Sequence, residues 1–311
     1  MKAGAALERM EFAQAPPPAV SAARFPDGAS FRVEIPSVEG ARVLAEVVRS
    51  AAEHEIVVNR VSQGSGAMLL GESELREMAA IGAEAGLEVS LFTGPREGWD
   101  IGAHARSADG AAHAGQVRGL RGLAYAVEDI ARACEAGIRS FLIADAGLLD
   151  VLVDMQGAGE LPRACVWKIS VMMAPSNPAG LRVLERLGAT PVNIATDTSL
   201  AQLAELRAAS LLPIDLYVES PDALGGVVRG NEVGDLITVG APLYTKFGLR
   251  NSRALYPCGE HLVADACAIA REKVRRAAVA LEWLRRLTPG LEQSAHHAPG
   301  LGIPQPGPHT S

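Results

Sequence analysis

Between residues 29 and 288 the chain repeats one alternation of patterns. Short runs with an apolar residue at every second position, as in "FRVEIP" (31–36), predict strands. Each is followed by a stretch whose apolar residues recur three and four apart, as in "ARVLAEVVRSAAEH", which predicts an amphipathic helix. The strand-like runs are 31–36, 55–61, 87–93, 140–146, 165–173, 190–197, 213–220 and 236–242. Helices are expected over 41–54, from Ser73, and over 122–137, 147–156, 178–188 and 199–210; a short one is expected in "LGGVVRGNEVG" (224–234) and a long one over 261–287. Gly86, Gly137 and Gly188 each close a helix just before a strand. Strict β–α alternation through one core-sized region predicts a single-domain α/β fold, a (β/α)8 TIM barrel. The rival is a doubly wound open sheet for a dinucleotide, but it wants GxGxxG after the first strand, where "IPSVEGARVL" stands.

Side chains alternate faces along a strand, so one set faces the helices and the other faces the barrel interior. The first set is apolar: Phe31, Val33, Ile35, Ile56, Val58, Phe141, Ile143, Ile169, Val171, Val192, Ile194, Ile214, Leu216 and Val218. The second is strongly polar: Arg32, Glu34, Asn59, Glu88, Ser90, Lys168, Ser170, Asn193, Asp197, Asp215, Tyr217 and Glu219. Burying charges costs several kcal/mol per ion unless they are paired and hydrogen-bonded. The barrel must therefore hold a networked polar centre, either a closed salt-bridge lattice or a polar active site at the C-terminal ends of the strands.

The strand ends supply the candidates. Glu34, Asp145, Lys168 and Glu219 are the candidate catalytic groups, the carboxylates as acid, base or ligands of Mg²⁺ or Mn²⁺. Lys168 is either a charge partner of Glu34 or Glu219 or, with a lowered pKa, a Schiff-base former. Asn59, Gln63, Ser170 and Asn193 are placed to orient a substrate. "VSQGSGAM", after the second strand, puts Gln63, Gly64, Ser65 and Gly66 at the mouth, where glycines allow close backbone approach and successive amides can hold an anion. Arg229 in "SPDALGGVVRG" and Lys246 and Arg250 in "YTKFGLRNS" follow the last two predicted strands, where this fold often holds phosphate. The long connection "GPREGWDIGAHARSADG" (94–110), with His104, is a candidate lid.

Composition adds exclusions. The chain has 311 residues, 48% hydrophobic and 4% aromatic, and a formal net charge of −7. No basic stripe interleaved with aromatics occurs, which argues against a nucleic-acid partner. No apolar run approaches the roughly 20 residues of a membrane span. Cys134, Cys165, Cys258 and Cys267 show no CxxC spacing and read as reduced thiols of a cytoplasmic protein. No HxH or HExxH motif is present, which disfavours a familiar zinc hydrolase. Residues 1–28 are expected to be a flexible leader and 289–311, rich in Pro and Gly, a disordered tail. The arginines of the last helix, Arg275, Arg276, Arg285 and Arg286, and its alanine-rich face leave a homo-oligomer or a docking role open.

The segments "PIDLYVESPDALGGVVR" and "APLYTKFGLRNSRALYPCGEHL" resemble the peptidase U32 family and U32-like proteins of actinobacterial genomes, over most of residues 30–287. The resemblance implies a barrel and, in different members, collagenase-like peptidase activity, RNA modification or quinone hydroxylation with iron–sulfur clusters. The cysteine-bearing signature that follows the seventh strand in that family is replaced here by "SPDALGGVVRG", which argues against an iron–sulfur cluster. The resulting expectation is an enzyme acting on a small polar or anionic substrate by acid–base or metal-assisted chemistry. A Schiff-base lyase or aldolase using Lys168 and a non-catalytic ligand-binding barrel are the alternatives.

Overall fold

The computed structural model describes residues 7, 9–11, 19–100 and 102–307. Eight strands run parallel and close on themselves in chain order, with β1 hydrogen-bonded to both β2 and β8. They are β1 (Phe31–Pro36), β2 (Arg60–Gln63), β3 (Glu88–Phe92), β4 (Ser140–Ile143), β5 (Val166–Ile169), β6 (Val192–Asn193), β7 (Ile214–Glu219) and β8 (Leu243–Phe247). The covering helices are α1 (Ala41–Glu53), α2 (Glu72–Ala85), α3 (Gly119–Glu135), α4 (Ala146–Ala158), α5 (Pro178–Arg186), α6 (Leu200–Ala209), α7 (Val233–Gly240) and α8 (Val263–Leu287). The fold is a (β/α)8 barrel, as the alternation predicts. None of the described helices is long and apolar enough to cross a membrane.

The apolar strand set does what its period requires. Val33, Ile35, Phe141, Ile143, Ile169, Val192, Ile214 and Leu216 are fully buried between strands and helices. Local signals fix the helix ends: Asn177 accepts a hydrogen bond from the Gly180 amide ahead of Pro178, and Ser199 and Gln202 form a capping box for α6. Gly86 ends α2 in the left-handed region at φ 62°, where a Cβ is disfavoured.

Three expectations are corrected. The run 236–242, read as the eighth strand, lies mostly in α7, and β8 begins at Leu243. Val233, Leu236, Ile237 and Val239 are all buried, and a short, mostly apolar run of this kind cannot be told from a strand by period. The helix expected over 224–234 is instead a connection with two short 3₁₀ turns, broken by Gly225 and Gly226 at positive φ, and only its last two residues open α7. The second strand starts at Arg60 rather than 55, which moves the inward set on β2 from Asn59 to Arg60 and Ser62.

Described parts of both terminal segments, residues 19–28 and 289–307, pack against the barrel. In the former leader, the described residues 19–28 reach under the barrel: the Ser21 hydroxyl donates to the Ala241 carbonyl, and buried Phe25 meets Tyr244 edge-on at 5.3 Å. The rest of that leader, apart from Leu7 and 9–11, lies outside the described residues. The tail from 289 to 307 runs along the N-terminal rim. Ser294 N donates to the Phe31 carbonyl, Gly302 N to Glu88 Oε2 at 3.0 Å, and Gln305 N to the Gly137 carbonyl. Arg32 donates to Ser294 Oγ at 2.9 Å and to the Pro299 carbonyl at 2.7 Å. The tail has no regular element of its own; it is held because it satisfies polar groups buried at the strand starts.

Candidate active site

The polar strand set forms a continuous network inside the barrel. Parallel register places Glu34 beside Arg60 and Lys246, Arg60 beside Glu88, and Asn193 beside Asp215. Glu34 is the hub. Its Oε2 accepts from Arg60 Nε at 2.8 Å, both its oxygens accept from Lys168 Nζ at 2.6 Å, and Oε1 also accepts from Ser62 Oγ at 2.6 Å. Asp215 Oδ2 lies 2.5 Å from Arg60 and 3.0 Å from Lys168. Glu88 Oε1 accepts from Ser140 and lies 3.6 Å from the Arg60 guanidinium, which stacks on the Tyr244 ring at 3.4 Å.

Electrostatics follow from this geometry. Burial raises the Glu34 carboxyl, but Arg60, Lys168 and Lys246 together outweigh it and hold the group well below the usual carboxylate range. Burial, reinforced by Arg60, brings the Lys168 ammonium down to about 8 although Asp215 and Glu34 act the other way. Burial pushes the Tyr217 phenol up, with Glu34 and Asp215 adding to it.

Above this layer, at the C-terminal ends of the strands, lies a cavity of about 40 Å³. Its wall includes Ser62, Gln63, Gly64, Ser170, Asn193, Tyr217, Lys246 and Tyr256. Lys246 Nζ donates to Asn193 Oδ1 at 2.6 Å, lies 4.4 Å from the Tyr217 ring centre, and reaches Glu34 Oε1 only at 3.4 Å. Tyr256 covers the opening, half-exposed at 49%, with its hydroxyl bonded to Ser37 Oγ.

Charge is not balanced inside the barrel. Among the described residues, four buried cations, Arg32, Arg60, Lys168 and Lys246, face three buried carboxylates, Glu34, Glu88 and Asp215. Arg60 and Lys168 take the close contacts of Glu34 and Asp215, and Arg32 is satisfied at the bottom by Ser294, Pro299 and Tyr244. Among the described residues, the cation of this set with no carboxylate in ion-pairing distance is thus Arg32, while at the cavity Lys246 has one longer carboxylate contact, to Glu34 Oε1 at 3.4 Å.

The expected site residues divide. Glu34 and Lys168 are in the lattice but do not line the cavity; Gln63, Gly64, Ser170, Asn193 and Lys246 line it. Asp145 is not brought in: it caps α4 by accepting from Leu148 N at 2.8 Å, and also from Val117 N. Glu219, beyond a register shift in β7, accepts from the Arg250 amide and faces Arg276 of α8. Asn59 sits at the opposite end, bridging Val33 N and the Ser294 carbonyl. Arg229 ties its own connection through Glu232 and the Thr198 carbonyl, while the Arg250 side chain and Asp197 are exposed. Arg60, Ser62, Tyr244 and Tyr256 were not singled out from sequence. Arg60 had a readable signal, since a charge in a strand-like run opposite Glu34 is its natural partner.

The glycine-rich loop already has its anion. Glu39, from the connection after β1, accepts from Gly64 N at 2.8 Å and from Ser65 N at 3.0 Å. Gln63 closes the turn on both polar groups of Gly66, and Ser65 Oγ accepts from Cys258 N at 2.8 Å. The expected anion-holding role for these amides is therefore corrected: an internal carboxylate fills it. Gly64 has a different task, because a Cβ there would collide with the Tyr256 ring. Gly64→Ala is expected to cost roughly 1–3 kcal/mol of stability by overpacking. In a Tyr256→Ala background the same change should cost far less, and equal costs in the two thermal unfolding series would contradict this role.

Among the described residues, no group of three or more His, Cys, Asp or Glu side chains is placed to hold a metal ion. The interior carboxylates do not suit Mg²⁺ or Mn²⁺, because lysine and arginine donors already occupy the Glu34 oxygens and Asp215 Oδ2. The four cysteines are free thiols, and the Cys134 and Cys165 sulfurs lie 3.6 Å apart.

No family model matches the chain, and no curated protein matches it. Among solved structures it is similar to the copper homeostasis protein CutC from Streptococcus agalactiae, at 15% identity and a TM-score of 0.48, over 69% of this chain and 97% of that one. It is similar to a fructose-1,6-bisphosphate aldolase from Coccidioides immitis, at 11% identity and a TM-score of 0.48, over 82% and 92%. A U32 peptidase is a more distant likeness, at 14% identity and a TM-score of 0.38, over 67% and 73%. These likenesses are of barrel architecture and say nothing about activity.

Proposed function

We propose that the barrel mouth is the active site of an enzyme acting on a small substrate that carries a carboxylate or comparable oxyanion, with Lys246 as the group that receives it. The observation that supports this reading is a lysine at the wall of a polar cavity whose carboxylate contact, Glu34 Oε1 at 3.4 Å, is longer than those the same carboxylate makes with Arg60 and Lys168. A cavity of about 40 Å³ admits one carboxylate-sized group rather than a peptide, so the peptidase activity implied by the U32 resemblance is less well served. Ser170, Asn193 and Tyr217 surround that space with hydroxyl and amide groups suited to orient the anion and to hand on a proton. Glu34, shared between Lys246 and Lys168, helps to position Lys246.

A lyase working through a Schiff base would also have to use Lys246. Lys168 is fully buried, held by Glu34 and Asp215, and is not part of the cavity wall. The test is calorimetric titration with acetate and glyoxylate. Saturable binding is expected, weakened about 10- to 100-fold in Lys246→Met, the range for losing one charged hydrogen bond. Equal binding by the two proteins, or none by the wild type, would contradict the reading.

A further inference from the structure

The long connection between β3 and α3 carries a second cation that the site described above does not use. Arg96 is only 8% exposed. Its guanidinium is sandwiched between two aromatic rings, with its carbon 4.1 Å from the centre of Phe92 and 3.5 Å from that of Trp99. Such stacking fixes the plane of the group and directs its N–H edges. Only one nitrogen is engaged: NH2 donates to the Gly64 carbonyl at 2.8 Å and, at 3.4 Å, to that of Ser65. Among the described residues, Nε and NH1 make no hydrogen bond and no carboxylate comes within ion-pairing distance. Glu39 lies near enough to act through space, but both its oxygens are spent on the Gly64 and Ser65 amides.

The position of this cation gives it meaning. Gly64, whose carbonyl Arg96 holds, is part of the cavity wall, and so is Tyr256, whose phenol and the guanidinium influence each other's charge. Arg96 therefore stands behind the Gly64 edge of the cavity wall. Burial brings it down to about 10. A preorganised, mostly buried guanidinium with open N–H groups matches a second oxyanion, which it can hold with two parallel hydrogen bonds.

We infer that the substrate carries two anionic groups, one received by Lys246 in the cavity and a second, carboxylate or phosphate, bound by Arg96 at the rim between Phe92 and Trp99. The inference rests on the proposed reading of the cavity and narrows its substrate class to small dianions. A plain clamp on the Gly64 carbonyl is the competing role for Arg96, and the test separates the two.

Affinities of the full-length protein are measured by calorimetry for acetate, for malonate, succinate and glutarate, and for phosphonoacetate. The wild type is expected to bind at least one of the dianions tenfold or more tighter than acetate, and the better class, dicarboxylate or phosphonate, identifies the second group. In Arg96→Gln the ratio of dianion to acetate affinity should fall to near one, and in Arg96→Lys, which keeps the charge without the fork, to an intermediate value. A loop clamp would lower both affinities by one factor and leave the ratio unchanged, which would overturn the inference. A wild-type ratio near one, with acetate binding still dependent on Lys246, would overturn it alone. No acetate binding at all would overturn it together with the reading on which it rests.

Discussion

Replacing Glu34 with Gln is expected to destabilise the protein by roughly 3–5 kcal/mol, the cost of leaving buried cations without their partner. Glu34 is fully buried and receives Arg60, Lys168 and Ser62 at 2.8 Å or less, with Lys246 at 3.4 Å. Glutamine has the same shape but only one accepting oxygen, and its amide would point N–H groups at ammonium or guanidinium donors. Denaturant unfolding measures the loss. A companion substitution, Lys168→Met, should restore part of it by removing one stranded cation, and a fall below about 1 kcal/mol in the single variant would contradict the hub role. Since the Glu34 carboxyl lies well below its usual range in the folded state, its contribution is complete above the ordinary carboxylate pKa and is lost as pH falls towards the folded value.

The second large effect is expected from the C-terminal tail. A chain ending at Leu291 would strip partners from three buried groups: Arg32 loses Ser294 Oγ and the Pro299 carbonyl, Asn59 loses the Ser294 and Ala295 carbonyls, and Glu88 loses the Gly302 amide. Each buried polar group left unsatisfied costs about 1–3 kcal/mol, and more when charged. The loss should therefore reach several kcal/mol, seen as a large drop in the thermal midpoint or as failure to fold. The lower seal would open while the cavity wall itself is untouched. An unchanged midpoint would show that the tail merely lies against the barrel.

Much of this was legible because strands have period two. In "FRVEIP" the alternation of Phe31, Val33 and Ile35 with Arg32 and Glu34 foretells both the helix-facing layer and the buried charges, and Lys168, Asn193 and Asp215 follow the same rule. Where the period is uninformative the reading slipped. "LITVG" is short and mostly apolar, so it served equally as strand or buried helix, and displacing β8 hid Tyr244 as an interior residue and placed Lys246 in a loop. On β2, starting the strand a few residues early put Asn59 inward and overlooked Arg60.

Roles that depend on distant partners were not legible at all. Nothing local says that Glu39 fills the amides of Gly64 and Ser65, or that a Pro/Gly-rich tail finds buried acceptors and donors more than 200 residues away. Asp145 is a different case. A short polar residue just ahead of the apolar helix "AGLLDVLV" is an N-cap signature, and the capping bond to Leu148 N accounts for it without chemistry.

The central claim is that Lys246 serves a ligand rather than the lattice, and the most direct measurement is the stability of Lys246→Met without ligand. A lysine kept for binding adds little to a lattice whose hub, Glu34, is already held by Arg60 and Lys168, so an apolar replacement should leave the unfolding free energy unchanged or raise it by about 1–2 kcal/mol. Removing a needed member of a balanced lattice would instead lower it by several kcal/mol, as expected for Glu34→Gln. A neutral or stabilised Lys246→Met supports a functional cavity; a strongly destabilised one would show that the interior charges only hold the barrel together.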